Sequence, residues 1–141
     1  MFDTVLIAGL GLMGGSMAKT IKARTLSRVL GWNRTRATAE QALADGSIDA
    51  IATEALYKEA DLVIIGLYPQ ATVDWLLENM PKMKKGCVIV DMVGVKQFMV
   101  DHLEQAALDA GVHYVGGHPM AGREFSGLDF ALSTLFDGAS M

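Results

Sequence analysis

A disulfide framework is excluded at once, because the chain carries a single cysteine, Cys87, in 141 residues. Cys87 opens the apolar run Cys87-Val88-Ile89-Val90 and reads as a buried, reduced core thiol, which points to a cytoplasmic setting. No apolar run approaches the roughly 20 residues needed to cross a bilayer. Phe2 and Asp3 stand where a secretory leader would place basic residues. A membrane partner is therefore not expected. Basic residues are also scarce: 12 Lys and Arg face 16 Asp and Glu, for a net charge of −4, and no basic face emerges. That argues against nucleic acid as a partner. There is no low-complexity linker and no internal repeat. What remains is 51% hydrophobic, the composition of one well-buried domain.

Apolar β-rich runs alternate with helical patterns along the whole chain. The pattern predicts strands at residues 4–8, 29–32, 48–52, 61–67, 87–91 and 112–115. It predicts helices at residues 13–24, up to about 45, at 69–80 and at 95–110. Thr4-Val5-Leu6-Ile7-Ala8 is continuous in its apolarity, as strands buried on both faces are. Gly46 and Gly111 read as helix stops, and Pro69 as a helix start. Strand–helix alternation with right-handed crossovers implies an α/β fold of Rossmann type, doubly wound around a mainly parallel sheet, over residues 1–141.

Gly9-Leu10-Gly11-Leu12-Met13-Gly14 follows the first strand and opens the first helix, the context that a dinucleotide fingerprint requires. Gly9 would permit the tight turn, Gly11 the approach of backbone to a pyrophosphate, and Gly14 close helix–strand packing. The helix N-terminus would offer N–H groups and the positive end of its dipole to the phosphates. After the second strand, an acid would normally accept the ribose hydroxyls of NAD. Asn33, Arg34, Thr35 and Arg36 stand there instead. Arginine at this place accommodates a 2′-phosphate, so NADP is the expected cofactor, with NAD as the alternative. The bland reading of Arg34 and Arg36 is a solvated helix start. Leu67, Tyr68 and Pro69 follow the fourth strand, where a loop lies over the cofactor. Tyr68 either stacks there or covers the core.

Beyond the fifth strand come Asp91-Met92-Val93-Gly94-Val95-Lys96. Gly94 is read as cofactor-facing. Lys96 pairs either with Asp91 or with a substrate carboxylate. After the sixth strand, Gly116-Gly117-His118-Pro119-Met120-Ala121-Gly122-Arg123-Glu124 packs a histidine, an arginine and a glutamate into a glycine-rich loop. A neutral imidazole at His118 can take a hydroxyl proton as a hydride leaves the same carbon. The bland alternative is a loop histidine capping a backbone group. His102 and His113 read as structural or solvated. No metal-ligating cluster enters this reading.

Gly9 through Ser16 at the front, and Gly117 through Glu124 with Ser126-Gly127 at the back, resemble the prephenate/arogenate dehydrogenases of tyrosine biosynthesis. Asp91 through Lys96 and Leu135-Phe136 also fit. The histidine block is the specific part, since many dehydrogenases share the glycine block. The resemblance implies an N-terminal nicotinamide-cofactor domain of a two-domain, homodimeric enzyme. The following helical domain would lie beyond this chain, in keeping with an apolar stop at Met141, and the isolated domain would be inactive. It implies oxidative decarboxylation of prephenate or arogenate, with His118 as the catalytic group. Glu124 would belong to a polar network around the substrate, with Arg123, Ser126 and Lys96 as further substrate contacts. The family often has a serine where Gly94 stands. Two other readings remain: a non-catalytic NADP-binding regulatory domain, or another NADP-dependent hydroxyacid dehydrogenase. Enzymes of the latter kind share the front block and an Asn-Arg-Thr but lack the Gly-His-Pro-Met-Ala-Gly block.

Overall fold

The computed structural model describes residues 2–92 and 97–115. In chain order they form β1 (Thr4–Ala8), α1 (Leu12–Arg24), β2 (Arg28–Trp32), α2 (Arg36–Ala44), β3 (Ala50–Ile51), α3 (Glu54–Tyr57) and β4 (Leu62–Ile65). Then come α4 (Pro69–Asn79), a 3₁₀ turn (Met80–Lys82), β5 (Val88–Asp91), α5 (Gln97–Ala110) and β6 (His113–Val115). The six strands make one sheet in the order β3-β2-β1-β4-β5-β6, and every pairing is parallel. This is the Rossmann arrangement expected from the strand–helix alternation. The chain winds outward from β1 in one direction and then, from β4, in the other. β1 and β4 are therefore neighbours, with Val5 opposite Leu62 and Ala8 opposite Ile65.

Side chains alternate across a strand, so one apolar run supplies both faces of the sheet. Leu6, Ala8, Leu30, Val63, Ile65 and Ile89 face α3–α5, where they meet Tyr57, Trp75, Leu76 and Leu103. Val5, Ile7, Val29, Leu62 and Ile64 face α1 and α2, against Met17, Ala18, Ile21 and Ala39. The central strands β1 and β4 lie deep in this two-sided core. Cys87 is fully buried in the first cluster, and burial pushes its thiol up to about 12.

Two differences from the expected elements have local causes. The third strand is two residues long rather than five. Asp49 accepts the backbone N–H of Val29 on its carboxylate (2.8 Å), so a side chain takes a bond that strand pairing would use. The one-turn helix α3 was not expected, because four residues are too few to show a helical period.

Candidate functional site

The glycine loop joins β1 to α1 at the point where the winding reverses. Gly9 adopts φ +98°, a conformation that side-chain-bearing residues rarely adopt. Its N–H donates to the carbonyl of Trp32 (2.8 Å), which ties the turn to the end of β2. A Cβ at Gly9 would lie 2.7 Å from the carbonyl oxygen of Gly66, just past β4. A Cβ at Gly14 would lie only 1.7 Å from the carbonyl oxygen of Gly9. These two glycines bring the ends of β1 and β4 and the first turn of α1 into backbone contact. Gly66 takes part in that contact but reads in sequence as one more residue of an apolar run; its signal was a glycine at a strand's carboxyl end. Gly11 is different. Nothing lies within 4 Å of the position its Cβ would take, and the residue is exposed.

Gly11 is also the N-cap of α1. It makes no side-chain cap bond, and the helix has no acid in its first turn. The N-terminus of this 13-residue helix therefore keeps its positive end uncompensated by any carboxylate of its own. Leu12 and Met13 begin the helix. An uncapped helix end, an open glycine and a backbone turn at the carboxyl edge of the sheet form a cradle suited to an anionic phosphate group.

Asn33 closes this cradle from the side. Its Oδ1 accepts the N–H of Leu10 (2.8 Å), and its Nδ2 donates to the carbonyl of Thr35 (3.0 Å). Sequence reasoning placed Asn33 against the cofactor. The structure uses its carboxamide as a bracket between the glycine loop and the start of α2. Arg34, Thr35 and Arg36 follow on exposed backbone. Thr35 is the N-cap of α2 but makes no side-chain cap bond. Arg36 leans on Glu40 one turn along (3.6 Å).

On the other side of the loop, Leu67 is half-buried, and its Cδ2 reaches within 2.9 Å of the Cβ position of Gly9. Thr72, fully buried, donates its hydroxyl to the carbonyl of Leu67 (3.0 Å) and so fixes this corner. Tyr68 is 84% exposed, which removes the reading in which it covers the core. Pro69 sits in the first turn of α4, with Tyr68 as N-cap. Between α3 and α4 opens a further pocket of about 330 Å³, lined by Trp32, Tyr57, Trp75, Glu54, Glu78 and Asn79 among others. The glycine loop is not part of its wall, and among the described residues the indole N–H of Trp75 finds no acceptor.

Asp91 ends β5 and is completely buried. The hydroxyl of Tyr114 donates to its Oδ2 at 3.3 Å. Gly94, Lys96, His118, Arg123, Glu124 and Ser126 lie outside the described residues. Among the described residues, no group of three His, Cys, Asp or Glu could hold a metal ion, and no helix is long and apolar enough to cross a membrane. His113 is exposed at the start of β6.

The family model for the prephenate dehydrogenase nucleotide-binding domain matches residues 17–141. The chain belongs to this family. Prephenate dehydrogenase of Bacillus subtilis (strain 168) is 38% identical over 143 residues, covering 99% of this chain and 38% of the relative. That of Lactococcus lactis subsp. cremoris (strain MG1363) is 31% identical over 140 residues, covering 96% and 39%. The chain thus spans under two-fifths of the length of either relative. Among solved structures, prephenate dehydrogenase from A. aeolicus, in complex with hydroxyphenyl propionate and NAD+, superposes with a TM-score of 0.70. It is 28% identical and is covered to 43% of its length, against 86% of this chain. Residues 17–141 thus correspond to the nucleotide-binding domain of the prephenate dehydrogenase family.

Proposed function

We propose that this domain seats a nicotinamide dinucleotide across the β1/β4 switch and that the complete protein oxidatively decarboxylates prephenate or arogenate. The observation that carries the reading is the 38% identity to a prephenate dehydrogenase across 99% of this chain. The cradle supports it physically. The pyrophosphate would lie against Gly9, Gly11 and the backbone of Leu12, Met13 and Gly14. Leu67, Tyr68, Pro69 and Gly94 would flank the dinucleotide. NADP is the preferred form in this reading, because Arg34 and Arg36 offer cations, Thr35 a free hydroxyl, and no carboxylate stands at the end of β2 to repel a 2′-phosphate.

When bound, the nicotinamide supplies the hydride acceptor. The substrate ring carries a hydroxyl on one carbon and a carboxylate on the opposite one. His118 accepts the hydroxyl proton as the hydride departs from that carbon. Carbon dioxide leaves, and the ring becomes aromatic, which supplies the driving force. Glu124, Arg123, Ser126 and Lys96 contact and orient the substrate, so the protein's share is position and proton handling. A helical second domain beyond residue 141 completes the substrate site and the homodimer. The isolated domain therefore binds cofactor but does not turn over. The enzyme works in the cytoplasm, with no nucleic-acid or membrane partner.

The test is an assay of the full-length protein with prephenate and arogenate, each with NAD and NADP. Turnover of one of the two ring substrates, faster with NADP, is the expected result. Cofactor binding without turnover of either would make the domain a regulatory module instead.

A further inference from the structure

We infer that the pocket between α3 and α4 is a second ligand site, separate from the glycine-loop cradle, and that it binds a small quaternary ammonium compound carrying one oxygen acceptor.

The pocket, at about 330 Å³, has the size of a small-molecule site. Three aromatic side chains line it: Trp32 at the end of β2, Tyr57 in α3 and Trp75 in α4. The ring of Trp75 lies between the other two, with a centroid distance of 5.6 Å to each. Its plane is tilted by 52° to Trp32 and by 58° to Tyr57, so the rings meet at angles and do not stack flat. Aromatic rings gathered at angles around one space attract cations through their electron-rich faces, and such cages recognise quaternary ammonium groups. The charge on the wall has the matching sign. Glu54 of α3 and Glu78 of α4 line the pocket and are exposed. Burial and these two carboxylates push the phenol of Tyr57 above its ordinary value, so Tyr57 adds no third negative charge at neutral pH. An ammonium group already rests on this wall: Nζ of Lys82 meets Oε1 of Glu54 at 2.5 Å and Oδ1 of Asn79 at 3.4 Å. Glu78 has no ionic partner among the described residues. An acidic wall repels the phosphates of a dinucleotide, which sets this pocket apart from the cradle at α1.

The oxygen acceptor is required by Trp75. This residue is 5% exposed, and its indole N–H is buried without an acceptor among the described residues. A buried donor left unpaired is unfavourable, and each such group calls for a partner. Asn79, the buried polar neighbour on the wall, does not provide one. Its Nδ2 donates to the backbone carbonyl of Trp75 (2.9 Å), and its Oδ1 faces Lys82. An oxygen on the ligand supplies the missing acceptor, while its cationic end meets the rings and Glu78. Choline has both groups in one small molecule and serves as the probe.

The test is calorimetric titration of the full-length protein with choline, with tetramethylammonium, and with the uncharged analogue of choline that has carbon in place of nitrogen. Choline should bind about tenfold or more tightly than the uncharged analogue, and about fivefold more tightly than tetramethylammonium, which lacks the oxygen. Trp75→Phe keeps a ring and removes the N–H. It should lower the affinity for choline to that for tetramethylammonium, which itself stays unchanged. Glu78→Gln should weaken both cations about threefold or more and leave the uncharged analogue unaffected. Saturation with NADP or NAD should leave choline binding unchanged. The proposal is overturned if choline does not bind, or binds no better than its uncharged analogue. It is also overturned if Trp75→Phe weakens both cations equally. Competition between choline and either dinucleotide overturns it too, because the pocket would then be part of the dinucleotide seat. Should Trp75→Phe not fold, the three wild-type titrations and Glu78→Gln still decide it.

Discussion

Asn33 holds Leu10: its carboxamide oxygen accepts the Leu10 N–H at 2.8 Å, while its amide nitrogen donates to the carbonyl of Thr35. One side chain therefore shapes both the glycine loop and the segment proposed to meet the 2′-end of the cofactor. Asn33→Asp keeps the acceptor for Leu10 but turns a carboxylate toward the Thr35 carbonyl and toward any 2′-phosphate. Its expected effect is a shift of the NADP-to-NAD affinity ratio toward NAD by about tenfold or more, in line with the worth of one charged hydrogen bond. Calorimetric titration of both cofactors measures it, and an unchanged ratio would remove Asn33 from the selectivity argument.

The glycines of the loop separate stability from binding. Gly14→Ala places a methyl 1.7 Å from the Gly9 carbonyl oxygen, a backbone atom that cannot swing away. It should destabilise the fold by roughly 3 kcal/mol or more, at or beyond the usual range for overpacking. Gly11→Ala meets open space, and so should change stability by no more than about 0.5 kcal/mol, as surface substitutions do. It should nevertheless weaken cofactor binding severalfold, because the methyl occupies the approach to the pyrophosphate. Urea denaturation alongside cofactor titration tests the contrast. Equal stability of the two variants would contradict it.

Arg34→Ala bears on the cofactor alone. Arg34 is exposed and packs into neither core cluster. Removing a charge-assisted phosphate contact costs about 1.5 kcal/mol or more, roughly tenfold in Kd for NADP, with NAD affinity and melting temperature unchanged. Loss of both cofactors together would instead mean that the arginine supports the loop.

Asp61 anchors the opposite, amino-terminal edge of the sheet. Its carboxylate accepts the N–H groups of Asp3 and Thr4 and pairs with Lys84. Burial pushes its pKa up, but these donors outweigh it and bring the group below its ordinary 3.8. A depressed folded-state value means stability fully present above about 3.8 and lost as the pH falls through that lower value. Asp61→Asn should therefore be less stable than wild type at pH 7, with the gap closing at lower pH. Denaturant titrations at several pH values give the comparison. A gap independent of pH would show that charge at Asp61 does not matter.

His118→Asn in the complete enzyme should preserve cofactor affinity and lower kcat by roughly 10²–10⁴, the usual worth of a positioned general base. A proton acceptor must be neutral, so the wild-type rate should fall as the pH drops through the pKa of His118, about 6.5 for an unperturbed imidazole. Turnover within a few-fold of wild type, with normal cofactor binding, would move the proton-accepting role to another group.

Which parts of this molecule are legible without coordinates follows from how far each signal reaches along the chain. Val5–Ala8 is apolar at every position, and that alone marks a strand buried on both faces. Gly9, Gly11 and Gly14 fall at their spacing within six residues, and Pro69 starts a helix by removing an N–H that the first turn does not use. Such local regularities are enough for the parallel doubly wound fold, for the tight glycine turn between β1 and α1 and for the family. The substrate half was read from the block around His118, outside the described residues. What the tertiary structure decided are partnerships between distant residues. Asn33 meets Leu10, and Tyr114 meets Asp91, each across 23 positions, because strand order sets those ends side by side. The exposure of Tyr68 and the capture of the Val29 N–H by Asp49 belong to the same class. A hydrogen bond has an angular and distance requirement that no residue type carries in itself. Only the packed sheet brings donor and acceptor within hydrogen-bond reach, and so only the fold determines which polar side chains brace the loop and which are left exposed.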